Sequence, residues 1–431
     1  MKFFSNRLPT AGVAFNALAF VLTSAALVSC GSSTDGTAIA GEVDVRKFAV
    51  GTYPTIPADL RGSYRHEALS GTQLAVARLA DAVATGPDVD PSFAHGVMQW
   101  SITTLGSVSS VLANATEPVA ERNNVMFGYS ASASTRPLPD TGDPSASGIF
   151  HPFGGGHTDP DATSFNITVL QFPSAQEAES AATQMEAADF DVAADLNTHI
   201  SLDKYPSAKA HWRQGIPSMA ATLAHGQYVV NVFVQLPKPE LAGLKNLIEK
   251  VYAAQVPLLD QTPPLSAREV LFLDYDPYGM VRRTLHPDKL LRPNADTEAT
   301  RTPRGYLHYV DDQIAWKRLL DDNRVDRIST TQKGALLLRT PDTKSATALW
   351  AGINGLTTGT ADRPANVPDV ACAENPKPKR DSYDNYWDEP DRFICTVRYD
   401  RYVARVAGAQ LADVHQRAAA QYALLANSQY L

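Results

Sequence analysis

Phe165-Asn-Ile-Thr-Val-Leu-Gln-Phe-Pro-Ser174 is the stretch of this 431-residue chain from which its fold is inferred. Its alternating apolar residues predict a β-strand, and Pro173 and Ser174 mark the start of a helix rich in alanine. Gly334-Ala-Leu-Leu-Leu-Arg-Thr-Pro-Asp342 repeats this order, again before alanines. The chain therefore contains an internal repeat that opens with a strand and a helix.

Each copy of the repeat continues in the same way. Residues 219–234 and 393–406 alternate through a short turn and predict β-hairpins, and helical patterns follow at 240–259 and 409–425. Strand, helix, hairpin and helix predict an α+β fold of two related, ferredoxin-like layer units. Gln261-Thr-Pro-Pro264 separates a predicted N-terminal α+β domain, 43–260, from a C-terminal one, 265–431.

A helical and extended leader precedes the first unit. Residues 43–50 alternate as a strand does, and Pro54 and Pro57 impose an extended segment after them. Helices are predicted at 73–84, where the apolar spacing is amphipathic, and between residues 97 and 113.

The N-terminus has the layout of a secretory signal. Lys2 and Arg7 precede an apolar run from about residue 11 to 28, interrupted by polar residues and without a basic stop-transfer flank. Leu27-Val-Ser-Cys30 resembles a bacterial lipobox, which implies that residues 1–29 are removed and that Cys30 carries a diacylglyceryl group. An ordinary signal peptide that happens to contain a cysteine is the alternative. Residues 30–42 are small and polar, as expected for a lipidated tether.

Charge and cysteine content narrow the functional classes. A formal net charge of −8 argues against nucleic acid as a partner and against electrostatic adhesion to anionic lipid. With Cys30 assigned to lipid, Cys372 and Cys395 form the only possible disulfide, which an oxidising compartment outside the cytoplasm favours. Two buried free thiols are the alternative.

One segment has the composition of a ligand-binding surface. Tyr383, Asp384, Tyr386, Trp387 and Asp388 lie between the two cysteines. Aromatic faces beside carboxylates suit sugars, because the rings stack on CH groups while the acids accept hydroxyl hydrogen bonds. The alternative is that these aromatic residues cover the core of their own domain.

Other polar motifs lack the partners that catalysis or metal binding requires. His151 and His157, with Asp159 and Asp161 nearby, have no helical or strand ligand spacing and suit a solvated loop. Ser201-Leu-Asp-Lys204 lacks the companion motifs of penicillin-interacting enzymes. Asp274-Tyr-Asp-Pro-Tyr-Gly279 lacks the acidic residue that closes a calcium loop. We therefore expect no catalytic residue, no metal and no cofactor.

The lipobox, the paired α+β halves and Val-Arg-Lys-Phe-Ala-Val-Gly-Thr-Tyr-Pro-Thr at 45–55 resemble actinobacterial lipoproteins of unknown function. The repeat is also similar to extracellular sensor domains of such bacteria. The resemblance implies a lipid anchor at the outer face of the cell membrane or elsewhere in the envelope.

The sequence thus favours a non-catalytic binding or scaffold module of the cell envelope, whose partner is an envelope protein or a wall polymer. A lipid or glycolipid carrier and an envelope hydrolase are the alternatives. No pattern in the sequence indicates the oligomeric state.

Overall fold

The computed structural model describes residues 43–60, 64–137, 159–287, 291–332, 335–375 and 391–429. From Asp44 onward, the described residues form one compact unit. Among the residues described, no helix has the length and apolar character needed to span a bilayer.

Seven antiparallel strands form the first sheet, in the order β1-β2-β3-β7-β6-β5-β4. They are β1 (His95–Ile102), β2 (Phe127–Ser134), β3 (Ser164–Gln171), β4 (Asn197–Ile200), β5 (Lys209–Arg213), β6 (Ser218–His225) and β7 (Tyr228–Gln235).

Six antiparallel strands form the second sheet, in the order β11-β12-β13-β10-β9-β8. They are β8 (Ala299–Arg301), β9 (Arg327–Thr330), β10 (Ala335–Arg339), β11 (Val370–Glu374), β12 (Phe393–Tyr399) and β13 (Tyr402–Gly408).

Helices cover both faces of the sheets. The α-helices of the described residues are α1 (Ala68–Ala80), α2 (Gly86–Val89), α3 (Glu117–Arg122), α4 (Ala175–Asp191), α5 (Leu241–Asp260), α6 (Ala267–Leu271), α7 (Pro303–Leu307), α8 (Gln313–Asp322), α9 (Thr343–Gly355) and α10 (Leu411–Ala426).

The repeated strand and helix are built alike in the two halves. In β3, Ile167 belongs to the core shared with α1 and α5, whereas Leu170 packs with the alanines of α4 on the opposite face. In β10, Leu337 packs on the α10 side and Leu338 on the α9 side. Alternation of apolar residues thus lets one strand fill two cores, one on each face of its sheet.

Side-chain caps start both of these helices. The Ser174 hydroxyl accepts a hydrogen bond from the Glu177 backbone amide, and the Asp342 carboxylate accepts one from Ser345. Such caps satisfy amides that the first helical turn leaves unpaired.

The two sheets share one strand order. In each, the strand before the helix pairs with the second strand of the later hairpin: β3 with β7, and β10 with β13. Two further strands extend each sheet on the other side of β3 or β10, which gives β1-β2-β3-β7-β6 and β8-β9-β10-β13-β12. An α+β fold with two antiparallel sheets is therefore confirmed, as are both hairpins; the ferredoxin-like arrangement stays a prediction.

Two predictions for the leader are wrong. Residues 45–47 form a single 3₁₀ turn instead of a strand, because the Asp44 carboxylate accepts hydrogen bonds from the backbone and side chain of Arg46. The segment 97–102 belongs to β1 and not to a helix, because it pairs along its length with β2. Such pairing overrides the weak local preference of a serine- and threonine-rich stretch.

The leader packs on the second half of the chain. The Phe48 ring lies edge-on to Tyr422 of α10, 5.6 Å between centroids, and the Tyr53 hydroxyl donates to Asp413 of the same helix. Gly51 has a φ of +59°, a left-handed backbone conformation that side chains with a Cβ rarely adopt. This position therefore favours glycine for its conformation.

Candidate functional site

A group of buried and partly buried polar side chains lies where the first half of the chain meets the second. Ser101 of β1 and Tyr129 of β2 face Asp296, Arg301 and Tyr309, which lie on β8 or close to it. We call these five residues the junction cluster. Buried, perturbed titratable groups concentrate at functional sites, which makes this cluster the first candidate.

Arg301 is the centre of the cluster and is only 1% exposed. Its Nη1 donates to Thr330 Oγ1 at 2.8 Å, and its Nη2 donates to the carbonyl oxygens of Ala295 and Asp296. The guanidinium lies over the Tyr309 ring, 4.3 Å from the centroid. Carbonyl oxygens and an aromatic face thus replace water around a charge that would be very costly to bury alone.

Asp296 and the tyrosines complete the cluster. The Ser101 hydroxyl donates to Asp296 Oδ1 at 2.6 Å, and the Tyr309 hydroxyl donates to the Ala295 carbonyl at 3.0 Å. Burial raises the pKa of Asp296 and of Tyr309, and raises that of Tyr129 well above its ordinary value. Both tyrosines are therefore neutral at physiological pH.

A second buried acid joins the halves beside the cluster. Asp81, at the end of α1, accepts hydrogen bonds from the Thr302 amide at 2.9 Å and the Thr302 hydroxyl at 2.8 Å. Burial raises the pKa of Asp81 to about 6 although these bonds lower it. Burial also lowers the pKa of the nearby His308 to about 4, so that this imidazole is neutral at pH 7.

Amide side chains and one ion pair extend the connection. Gln313 Oε1 accepts from the Gly86 amide at 2.9 Å, and Gln73 Oε1 accepts from the Ala295 amide at 2.7 Å. Arg304 Nε lies 3.1 Å from the Asp88 carboxylate. These bonds all cross between the halves, so the buried polar groups join them into one body.

The predicted disulfide is present at the far edge of the second sheet. Cys372 of β11 and Cys395 of β12 lie directly opposite each other and are bonded. The next residue pair toward the segment that joins the two strands is Ala373 and Ile394. Past that pair, Arg392 forms an ion pair with Glu374. The base of the segment that joins these strands is therefore held covalently and electrostatically.

The same sulfurs form, with His415, a compact group of potential metal ligands among the residues described. Both sulfur atoms are used in the disulfide, and His415 Nε2 lies 2.5 Å from the Asp362 carbonyl oxygen. Metal binding requires thiolates, which the disulfide does not offer.

Several of the predicted site residues lie outside the described residues. These are Cys30, His151 and His157, and the ligand-binding candidates Tyr383, Asp384, Tyr386, Trp387 and Asp388.

The acids predicted near the two histidines have a local partner. Asp159 lies 2.8 Å and Asp161 lies 3.6 Å from Arg136 Nη1. The Arg136 hydrogen bond lowers the pKa of Asp159. These two carboxylates thus balance the positive charge of Arg136.

Two other motifs have structural partners. The Lys204 ammonium lies 3.8 Å from Glu249, whose carboxylate also accepts the Asp203 and Lys204 amides. Asp276 accepts the Val281 amide at 2.8 Å and Arg282 Nε at 2.8 Å, which closes a turn. The polar residues of the Ser-x-x-Lys and Asp-rich motifs therefore stabilise the local backbone conformation.

The sequence did not point to the junction cluster. Residues 294–309 are rich in polar and charged side chains, which is typical of exposed loops. Only Thr302-Pro303, a helix start in which the Thr302 hydroxyl accepts from the Gly305 amide, could have been found locally. Burial of Arg301 depends on its contacts with Thr330, Ala295 and Tyr309, which no local pattern predicts.

Comparisons with known proteins show which family the chain resembles. A profile described as the N-terminal domain of unknown function DUF7373 matches residues 63–275, and its C-terminal counterpart matches residues 280–428. No curated protein matches.

Among solved structures, the extracellular domain of PknH from Mycobacterium tuberculosis is matched over its whole length and over 46% of this chain. The two are 11% identical with a TM-score of 0.28, a likeness that supports no inference about fold or function. The two profile matches together span most of the sequence, and the chain therefore belongs to the DUF7373 family.

Proposed function

We propose that this protein is a non-catalytic binding or scaffold module of the cell envelope, anchored through a lipid on Cys30. The observation that carries the proposal is the junction cluster, which joins two related halves into one body. A scaffold needs surfaces held in fixed relation, and a buried polar connection supplies that fixed relation.

The chemistry of the junction cluster favours binding over catalysis. A general acid or base must reach a substrate, and its proton must lie within hydrogen-bond distance of the reacting atom. Arg301, Asp296 and Asp81 instead donate to or accept from groups of the chain itself. Burial between the halves accounts for the shifted pKa values of these groups, so a catalytic role is not needed to explain them.

Export to the envelope is supported by the disulfide. Disulfides persist in secreted and extracellular proteins and are rare in the cytoplasm. Cys372 and Cys395 pair across two neighbouring strands, where the bond stabilises a sheet edge. The lipid on Cys30 is the finer part of the proposal and rests on the lipobox resemblance.

We place the ligand-binding surface on Tyr383, Asp384, Tyr386, Trp387 and Asp388, between β11 and β12. Both strands that flank this segment are fixed at its base: the Asn375 amide donates to the Arg392 carbonyl at 2.7 Å, and Trp350 Nε1 donates to Thr396 of β12 at 3.1 Å. Rigid support on both sides of a ligand-binding surface lowers the entropic cost of binding. The ligand class that fits the composition is a hydroxyl-rich wall polymer.

Co-sedimentation of the purified chain with insoluble cell-wall polymer from its own host tests this function. Changing Tyr386→Ala and Trp387→Ala together removes two stacking faces, which we expect to weaken binding about 10-fold. Trp100→Ala is the matched control, because Trp100 is an exposed tryptophan, 41% accessible, on the first sheet. Equal sedimentation of the double variant and the parent chain, or failure of the parent chain to sediment, would contradict the proposal.

A further inference from the structure

Three arginines lie together at one end of the second sheet. Arg327 is the first residue of β9 and Arg339 is the last residue of β10, and the two occupy directly opposed positions on these antiparallel strands. Arg401 lies in the turn between β12 and β13, where its carbonyl oxygen accepts a hydrogen bond from the Thr340 amide at 3.0 Å. Strand pairing thus brings three arginines from separate segments of the sequence to the same end of the sheet.

One carboxylate lies among these three arginines. Arg339 Nε and Nη2 donate to the two carboxylate oxygens of Asp326 at 2.9 and 2.7 Å. Burial raises the pKa of Asp326, but its Arg339 hydrogen bond and the charges of the three arginines outweigh burial and lower the pKa. Among the described residues, neither Arg327 nor Arg401 has a carboxylate within ion-pair distance. Asp326 therefore balances one of the three positive charges.

The other acids near this end do not remove the excess of positive charge. Asp342 lies 3.3 Å from a fourth arginine, Arg324, and Asp400 accepts a hydrogen bond from the Thr343 hydroxyl at 2.9 Å. Even if Asp400 is set against the adjacent Arg401, the charge of Arg327 stays unbalanced. Like charges directly opposite each other on paired strands destabilise a sheet, and arrangements that cost stability are expected where they serve function.

Aromatic rings hold two of the guanidinium groups in place. Arg327 lies over the Tyr278 ring, 3.9 Å from its centroid, and Arg401 lies over the Tyr402 ring at 5.6 Å. Arg327 Nη1 donates to the Asp326 carbonyl oxygen at 2.6 Å, whereas its Nε has no hydrogen-bond partner among the described residues. Tyr278 is 45% exposed, so this surface is open to solvent. Guanidinium groups that are already ordered lose less conformational entropy when they bind an anion.

From this arrangement we infer that Arg327, Arg339 and Arg401 form a site for phosphate groups of an anionic envelope polymer. Planar guanidinium groups donate paired hydrogen bonds to phosphate oxygens, and a tetrahedral phosphate has oxygens for more than one of them. A flexible polymer fits better than a bilayer or a nucleic-acid duplex. The formal net charge of −8 repels an extended anionic surface, whereas a single chain can reach a local patch of opposite charge.

The phosphate site lies at the opposite end of β12 from the segment proposed above as the ligand-binding surface. That segment precedes Phe393, the first residue of the strand, whereas Arg401 follows Tyr399, the last. The phosphate site rests on the proposed function only for its location in the envelope. The two surfaces can therefore be tested separately.

Titration of fluorescently labelled inorganic polyphosphate with the purified chain, followed by fluorescence anisotropy, tests the site. We expect saturable binding at low ionic strength that weakens as salt is added, because salt screens exposed charges. Arg401→Gln removes one guanidinium at a turn, where the risk to folding is small, and Arg327→Gln removes a second. We expect each change to weaken binding about 10-fold, as the loss of one charge-assisted contact does.

Two further variants distinguish anion binding from a purely structural role. Asp326→Asn removes the carboxylate that competes with phosphate for the arginines, and we expect it to tighten binding roughly 3- to 10-fold. The matched control is Arg318→Gln, because that arginine belongs to the same half of the chain and its side chain is 84% exposed beside Asp322. The control should bind polyphosphate as the parent chain does.

The outcomes that would overturn the assignment are specific. They are absence of saturable binding by the parent chain, full affinity in Arg327→Gln and Arg401→Gln, weaker binding in Asp326→Asn, and an equal loss in Arg318→Gln. Vesicles that contain phosphatidic acid are the second probe, and binding to them without binding to polyphosphate would also overturn it. The double change at Tyr386 and Trp387 should leave polyphosphate binding unchanged, so that the two proposed surfaces fail independently.

Discussion

The inner and outer edges of the two sheets are held by different chemistry. At the inner edges, the Ser101 hydroxyl of β1 donates to Asp296 just before β8, and Arg301 of β8 donates to the Asp296 carbonyl within the second half. At the outer edges, each sheet has a contact of its own: the Cys372–Cys395 bond in the second sheet and the Glu186–His211 hydrogen bond in the first. A change at the inner edges should therefore affect the whole body, whereas a change at an outer edge should stay within one sheet.

The largest effect is expected for Arg301→Met, which removes the charge at the centre of the junction cluster. Its partners Asp296 and Tyr309 would stay buried without it, and losing one member of a buried charged network costs about 3–5 kcal/mol. Denaturant unfolding should show that loss, and hydrogen exchange should rise in both sheets. Arg318→Met is the control, because that side chain is 84% exposed beside Asp322 and should cost about 0–1 kcal/mol. Faster hydrogen exchange confined to one sheet would contradict the claim that the junction cluster stabilises both sheets.

Breaking the disulfide should have a smaller and more local effect. Replacing Cys372 and Cys395 by serine opens a bond that spans 23 positions, and we expect a loss of about 3 kcal/mol in unfolding free energy. Hydrogen exchange should rise in β11 and β12 and stay unchanged in β4 and β5. Treating the parent chain with a reductant should reproduce the loss, and the same treatment should leave the double variant unaffected. Equal destabilisation of β4 would show that the outer edges are coupled.

The smallest expected effect is a change of stability with pH at the junction. Between pH 3.8 and about 6, the folded chain keeps a proton on Asp81 that the unfolded chain has lost, so Asp81 makes stability fall as pH rises. Between about 4 and 6.5, the unfolded chain holds a proton on His308 that the folded chain lacks, so His308 makes stability rise with pH. The two contributions oppose each other over nearly the same range.

Single variants separate these two contributions. In Asp81→Asn, unfolding free energy should rise by roughly 2–3 kcal/mol more than in the parent chain between pH 4 and 6.5. In His308→Asn, the difference from the parent chain should have the opposite sign. Denaturant unfolding at several pH values measures both slopes, and parallel profiles for all three proteins would exclude this account.

The sequence predicted the parts of the fold whose signals are local. Strand β3 with its capped helix, and the hairpin of β12 and β13, were found because alternation and capping depend on neighbouring residues. The short strands β4 and β5 were missed, because they are brief and polar and are defined by pairing with each other. The disulfide was predictable because only two cysteines were left to pair.

The polar groups were less predictable than the strands. His199 and His211 are twelve positions apart, and no helical or strand spacing connects them until β4 and β5 pair. Arg301 is an ordinary charged residue in the sequence, and its burial depends on contacts with Thr330, Ala295 and Tyr309 in the folded chain. Local sequence patterns predict single helices and strands, whereas the positions of these polar groups depend on how the helices and strands pack against each other.

The packing of the leader on α10 constrains the order in which the body assembles. Tyr53 binds Asp413, 360 positions downstream, so the first described segment of the chain acquires this partner only after nearly all of the chain has been made. Closing such a distant contact is slow, and domains otherwise tend to fold from the N-terminus as they emerge. A segment that is made early in synthesis would therefore be among the last to reach its final place.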